Sequence, residues 1–255
     1  MEFTVRQLVV FLMVFARIAS LVVSAPVYGH ESVPVQIKVA LSMFISFVYF
    51  PLAAAGAPDV DLQLAGMVVM AVKEVAMGLL MGFATGLVFS GVTVAGEIIG
   101  YDLGLSMASE IDPNTGTSNP VVGQFLSIVL MLVFLVINGH HFVLQALRLS
   151  YEAVPIGALS IGTVVSDKLL SLTGLILAIG IKLAAPVLVS SFLINVALAV
   201  MNRVAPQFNV FMINFPLKIG VGLVVLMTSA PLMVYVFKKL LAGFENNILD
   251  LVKAM

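Results

Sequence analysis

Long apolar stretches alternate with short polar breaks along the whole chain. Six blocks stand out, at roughly 7–25, 35–57, 64–101, 121–148, 169–201 and 210–240. None alternates strictly between apolar and polar positions, and all far exceed strand length, so the pattern predicts helices. The breaks fall at PVYGHESVP, at GAPDVD, within YDLGLSMASEIDPNTGTSNPVVGQF, at YEAVPIGALSIGTVVSD and at NRVAPQFN. Each carries the Pro, Gly, Asn or Asp that turns need. As one helix the third block would run about 57 Å at roughly 1.5 Å per residue, well beyond the ~30 Å hydrocarbon core of a bilayer. It is therefore either two pieces or a helix that leaves the bilayer. The stretch at 101–125 is rich in Gly, Ser and Asn and carries Asp102, Glu110 and Asp112 but no basic residue. An external loop would explain it, and so would a loop that closes something.

Composition sharpens this picture. The chain has 255 residues, 61% of them hydrophobic and 10% charged, with a mean hydropathy of +1.17. That excludes an ordinary soluble domain and reads as a membrane protein. A net charge of −1 gives no surface for nucleic acid. Without cysteine there is no disulfide framework and no thiolate metal site. The N-terminus resembles a signal peptide, but Glu2 precedes Arg6 and Arg17 interrupts the apolar run, so a retained first helix is expected. Six spans put both termini on one side. Arg6, Arg148, Lys168, Lys238, Lys239 and Lys253 share that side against Arg203 on the other, which predicts cytoplasmic termini.

Charges also occur where lipid would penalise them. Arg17, Lys38, Lys73, Glu74, Glu97, Lys182 and Lys218 lie inside apolar blocks, where each costs at least about 2.5–3.5 kcal/mol if it faces lipid at the bilayer centre. Three readings stand: snorkelling or pairing within the chain, pairing with neighbours in an assembly, or an ion or proton path through Lys73, Glu74 and Glu97. Lys73 and Glu74 are adjacent and face different sides of a helix, so separate partners are expected. Pro51, Pro186, Pro216 and Pro231 within or at the edges of blocks add backbone groups needing partners. Gly78, Gly82 and Gly86 recur every fourth residue, as do Gly96, Gly100 and Gly104, rows that let helix backbones approach closely. Met67, Met70, Met77 and Met81 share one helical face, an adaptable core stripe.

Catalytic chemistry is sparse. Neither a Walker A pattern nor HExxH occurs. His140 and His141 are adjacent and expected to point apart, so a shared metal is not expected. GLSMA at 104–108 faintly resembles the serine motif of rhomboid-type intramembrane proteases, on five residues only. No cofactor is implied, and a conduit or structural membrane protein is favoured over an enzyme.

Read in order, FARI at 15–18, APVYGHESVPVQIKVAL at 25–41, KEVAMGLLMGFATGLVFSGVTVAGEIIGYDLGLSMAS at 73–109, DPNTGT, GQFL, NGHH and KLAAPVLVSSFLINVALAVMNRVAPQFNVFMINFPLKIGVG at 182–222 resemble the FliR family of the flagellar type III secretion export apparatus. Virulence-type relatives (SctT/SpaR-like) share the plan. The resemblance spans nearly the whole chain. It implies an all-α fold in which a FliP-like part, 1–165, is fused to a FliQ-like helical hairpin, 166–255. It further implies a non-enzymatic subunit of a protein export gate in the bacterial inner membrane, within the flagellar basal body. FliP-like and FliQ-like subunits are the implied neighbours, with FlhB-like and FlhA-like export proteins, the first rod protein and unfolded flagellar substrates as further partners.

The same resemblance makes 104–120 a pore plug. In that role Gly104, Pro113, Gly116 and Pro120 punctuate the backbone, and Asp112, Pro113 and Asn114 form a turn. Ser106, Ala108 and Ser109 pack at the crowded pore centre, and Met107 and Ile111 seal against water, with Glu110 between them. Asn202, Arg203, Pro206, Gln207 and Asn209 form the hairpin tip, which the resemblance places toward the cytoplasmic entrance, against the charge count. A small-solute secondary transporter using the intramembrane charges is the alternative.

Overall fold

A computed structural model of the chain describes residues 5–56, 63–105, 121–160, 162–207 and 209–254. Its elements follow the apolar blocks: α1 (Val5–Ser24), α2 (Val35–Ala55), α3 (Leu64–Leu103), α4 (Val121–Val136), α5 (Gly139–Ala153), α6 (Thr163–Val204) and α7 (Val210–Ala254). No strand occurs among the described residues, and the class is all-α as expected.

The third block is one uninterrupted helix of 40 residues, about 60 Å long. α6 and α7 are longer still, 42 and 45 residues. Pro186 lies inside α6, Pro216 and Pro231 inside α7, and Pro51 inside α2. The fourth block, by contrast, is broken. Asn138 adopts a left-handed φ of 60°, a conformation asparagine tolerates better than most residues, and the axes of α4 and α5 differ by 68°. At 16 and 15 residues neither half alone crosses a ~30 Å core. Five helices among the described residues are long and apolar enough to cross a membrane, or six if the bent pair counts as one span.

Two compact units are formed by interleaved segments. The first comprises Met1–Leu87, Leu135–Thr173 and Leu241–Met255; the second comprises Val88–Phe134 and Gly174–Leu240. In the first unit α1 packs along α2, with Phe11 4.8 Å from Phe47 and 6.0 Å from Phe50 between ring centroids. α2 buries Ser42 and Ser46 and exposes Phe44, Phe47 and Val48. This inversion suits a bilayer, where bulky side chains face lipid and small ones mediate helix contact. α3 meets α1 through glycine: a Cβ on Gly78 would collide with the Arg17 carbonyl and Ser20, and one on Gly82 with Ser24. Met77 and Met81 are buried on the same stripe.

In the second unit Gly96 of α3 lies directly against the Gly123 backbone of α4. Thr93 and Ser127 share a hydroxyl hydrogen bond of 3.1 Å one turn away. Val92, Ala95, Ile99 and Leu103 are buried along this part of α3, with Leu130, Val187 and Phe237 from the other helices.

Candidate functional site

Three places gather the residues that the sequence marks. The first is a polar cluster in the first unit, centred on Arg17, whose guanidinium is fully buried. Its Nε donates to Glu74 Oε2 at 2.6 Å and its Nη2 to Glu74 Oε1 at 3.0 Å, a two-pronged pairing that matches the guanidinium fork. Nη1 donates to the Ser150 carbonyl and hydroxyl and to the Val154 carbonyl. Those carbonyls belong to the C-terminal turn of α5 and its cap, where a cation complements the helix dipole. The Tyr151 ring lies under the charge, 4.3 Å from its carbon, and Tyr151 donates to the Val14 carbonyl.

Glu74 also accepts from the Gly157 N–H at 2.9 Å, and Lys73 donates to the Gly157 carbonyl at 3.0 Å. The adjacent charges therefore do not take unrelated partners. They hold both backbone groups of one glycine, whose φ of +75° turns its peptide between them. Two residues facing different sides of α3 reach one target because the turn at Gly157 lies against α3 there.

The remaining charges divide. Lys38 donates to the Gly29 carbonyl at 2.7 Å, so it folds back on its own turn. Lys218 donates to the Asp102 carbonyl at 3.2 Å and stands 3.6 Å from Asp102 Oδ1. Lys182 is exposed and Glu97 half-buried, and neither has a polar partner among the described residues. Pairing within the chain thus accounts for five of the seven positions, and Glu97 and Lys182 have no such pairing among the described residues.

The second place is the C-terminal end of α3, the foot of the segment 106–120. The Leu105 N–H bonds to the Gly100 carbonyl at 2.9 Å and the Gly104 N–H to the Tyr101 carbonyl at 3.1 Å. With Gly104 at φ +79° this is a Schellman termination. Phe215 stands so close that a side chain on Gly104 would strike its ring. Leu105 and Val121, the residues flanking the segment, both line one apolar cavity of about 540 Å³ with Phe125, Met227, Met233 and Phe237. Ser106, Met107, Glu110, Ile111, Asp112, Pro113, Asn114, Gly116 and Pro120 lie outside the described residues.

The third place is the turn between α6 and α7. Asn202, Arg203, Pro206, Gln207 and Asn209 are all exposed there. Of the glycine rows, Gly78, Gly82 and Gly96 sit at helix contacts, whereas Gly86 has nothing within 4 Å of a Cβ position. The buried Gly100 supplies the carbonyl that ends α3.

No group of three His, Cys, Asp or Glu able to hold a metal occurs among the described residues. His140 and His141 do not point apart as expected: their ring centroids are 4.2 Å apart, tilted by 37°. They occupy the open first turn of α5, where no preceding turn separates their side chains.

Residues 8–244 match the profile of the bacterial export proteins, family 1. The chain is similar to the flagellar biosynthetic protein FliR of Escherichia coli K12, with 32% identity over 242 residues, 94% of this chain and 91% of that protein. FliR of Pectobacterium carotovorum is 32% identical over 221 residues, 86% of this chain and 83% of that one. FliR of Bacillus subtilis 168 is 30% identical over 220 residues, covering 85% and 84%.

Proposed function

The chain belongs to the bacterial export proteins, family 1, and from that premise we propose that it is a non-enzymatic core subunit of a flagellar type III protein export gate. It is a membrane protein of the bacterial inner membrane, with five described helices able to cross it. The observation that carries the proposal is the match over 8–244, which takes in every span rather than one motif. In this reading the chain helps to form the channel for unfolded flagellar proteins, with FliP-like and FliQ-like subunits around it and the segment 104–120 as its plug. Residues 1–165 are the FliP-like part and 166–255 the FliQ-like hairpin.

Two features support the finer reading. The Schellman motif ends α3 at Gly104, just before 106–120 in sequence, and the Phe215 ring stands close against Gly104. Both flanks of the segment, Leu105 and Val121, share one apolar cavity, as a dewetted constriction requires. The secondary-transporter reading draws less support, since Lys73 and Glu74 are occupied in bonds to Gly157 and Arg17. A coupling carboxylate needs free oxygens, and both oxygens of Glu74 are engaged.

Native mass spectrometry of the chain co-expressed with its genomic neighbours tests the proposal. One copy of it among several copies of two smaller membrane proteins is the expected result. A monomer or symmetric homo-oligomer, with those neighbours expressed and inserted, would overturn it.

A further inference from the structure

Along α3 the exposed face changes character. In the first half of the helix it is apolar, with Val68, Val72, Val75, Leu79 and Phe83 turned outward. Between Val88 and Leu103 only Ser90 and Tyr101 are exposed, and both are polar. Glu97 stands between them, half-buried and without a hydrogen bond or ion pair among the described residues. At spacings of seven and four residues the three share one face. The flanking faces are taken. α4 lies along one, through Gly96 against Gly123 and the Thr93–Ser127 bond. α6 lies along the other, where a Cβ on Gly91 would meet Ile179 and one on Gly180 would meet Val94. On the helical wheel the polar stripe falls between these two contacts.

Lipid does not explain such a face. A carboxylate turned to acyl chains at the bilayer centre costs at least about 2.5–3.5 kcal/mol, and in the same unit α4, α6 and α7 turn Phe125, Phe192 and Met227 outward instead. Close helix packing does not explain it either. Contacts between membrane helices use small residues, as α3 does against α4 and α6, whereas Glu97 and Tyr101 are large and polar. Ionisable residues of apolar helices that miss the bundle interior face a water-filled cavity. The stripe also runs to the foot of the segment read above as a plug, since Tyr101 stands one turn before Gly104 and accepts its N–H.

We infer that Ser90, Glu97 and Tyr101 line the aqueous conduit of the export gate, and that Glu97 makes this conduit prefer cations. The inference rests on the export reading above and deepens it. A hydroxyl, a carboxylate and a phenol keep water along the wall, and the carboxylate attracts cations as acidic side chains do in cation channels.

The chain has no cysteine, so single cysteines report their own surroundings. S90C, E97C, Y101C and, for comparison, F192C on the exposed side of α6 are placed in the complete complex, purified in nanodiscs so that water meets both ends of the conduit. A membrane-impermeant thiol reagent is expected to react at the three stripe positions about tenfold faster than at F192C. The rates should fall by a similar factor in complexes purified with an export substrate stalled partway by a tightly folded fusion. Rates no faster than at F192C would set the stripe against lipid or a neighbouring subunit, and fast labelling that a stalled substrate leaves unchanged would set it on an outer surface; either overturns the inference. If E97C does not assemble, S90C and Y101C decide. In planar bilayers the cation-over-anion preference of complexes lacking 107–118 should fall about fivefold in E97Q and persist in E97D; unchanged selectivity in E97Q overturns the role of Glu97. A complex that conducts nothing after that deletion counts against the plug instead, and the labelling rates then decide the stripe alone. Secretion that persists when the whole chain is deleted would sink the export reading, whatever the stripe does.

Discussion

A guanidinium with no exposed surface has five N–H groups to satisfy, and Arg17 satisfies them on three segments at once: α3 through Glu74, α5 through Ser150, and the following turn through Val154. Removing one member of such a pair strands the other charge. We expect E74A to lower the stability of the purified chain by ~3–5 kcal/mol, and R17K to be far from neutral, since an ammonium cannot fork or stack as Arg17 does. R17L/E74L should recover part of the loss and not all, because the Val154 carbonyl and Gly157 N–H then lose their partners. Thermal unfolding in detergent, followed by circular dichroism, reads all three variants; an unchanged E74A would refute the pairing's importance. Outside the spans, Tyr28 donates to the His140 carbonyl at 3.0 Å. Burial first, and then the nearby Tyr49, push its pKa above the ordinary 10.0. Its neutral form is thus favoured by folding, so the stabilisation is complete below about pH 10 and lost as pH rises beyond it. Y28F should remove that alkaline slope in a pH series of melting curves. The sequence marked Arg17 and Glu74 as anomalies but not as a pair, because 57 residues separate them and no local periodicity links them. The His140–His141 contact departs from helix-interior geometry because both residues stand in the first turn of α5.

Helices bring the glycine rows into focus. A Cβ at Gly78 or Gly96 meets neighbouring backbone, whereas at Gly86 it meets open space. We expect G78A and G96A to destabilise the chain, since backbone cannot step aside as a flexible side chain does. G86A should instead be neutral or stabilising by up to about 1 kcal/mol, the helix preference of Ala over Gly. Unfolding midpoints of the three variants decide it, and a G86A loss equal to the other two would contradict the distinction. Fourfold spacing told where close contacts were allowed, not which of them the fold uses. The blocks themselves were legible, because runs of this hydropathy leave helices as the only backbone satisfied in lipid. Two boundaries were not. Block four hides its break at Asn138, where a single left-handed residue suffices. α7 continues to Ala254, past the apolar run, because FENNILDLVKA keeps helix-forming residues after its hydropathy falls.

At the scale of the molecule, the interleaved units mean that α3, α6 and α7 each begin in one unit and end in the other. Such a division could not be read from apolar blocks in chain order, which suggest consecutive domains. The foot of the proposed plug was more legible: Gly104 was marked as punctuation, and it ends α3. Its neighbours Lys218 and Phe215 lie over a hundred positions away, where no local pattern links them to it. We expect deletion of 107–118 to leave complex assembly intact and to raise ion leak in growing cells, followed by membrane-potential dyes alongside native electrophoresis. Normal assembly with unchanged leak would reject the plug.

The Arg17 cluster also has a history in time. Its carboxylate partner is made 57 residues later and its Ser150 partner 133 residues later. At roughly 5–20 residues per second of synthesis, the arginine waits about 3–11 s for Glu74 and about 7–27 s for α5. During that interval the first helix leaves the ribosome with a bare cation in its middle. It must therefore stay near water or beside the insertion machinery, and commits to its final place only when most of the protein has been translated.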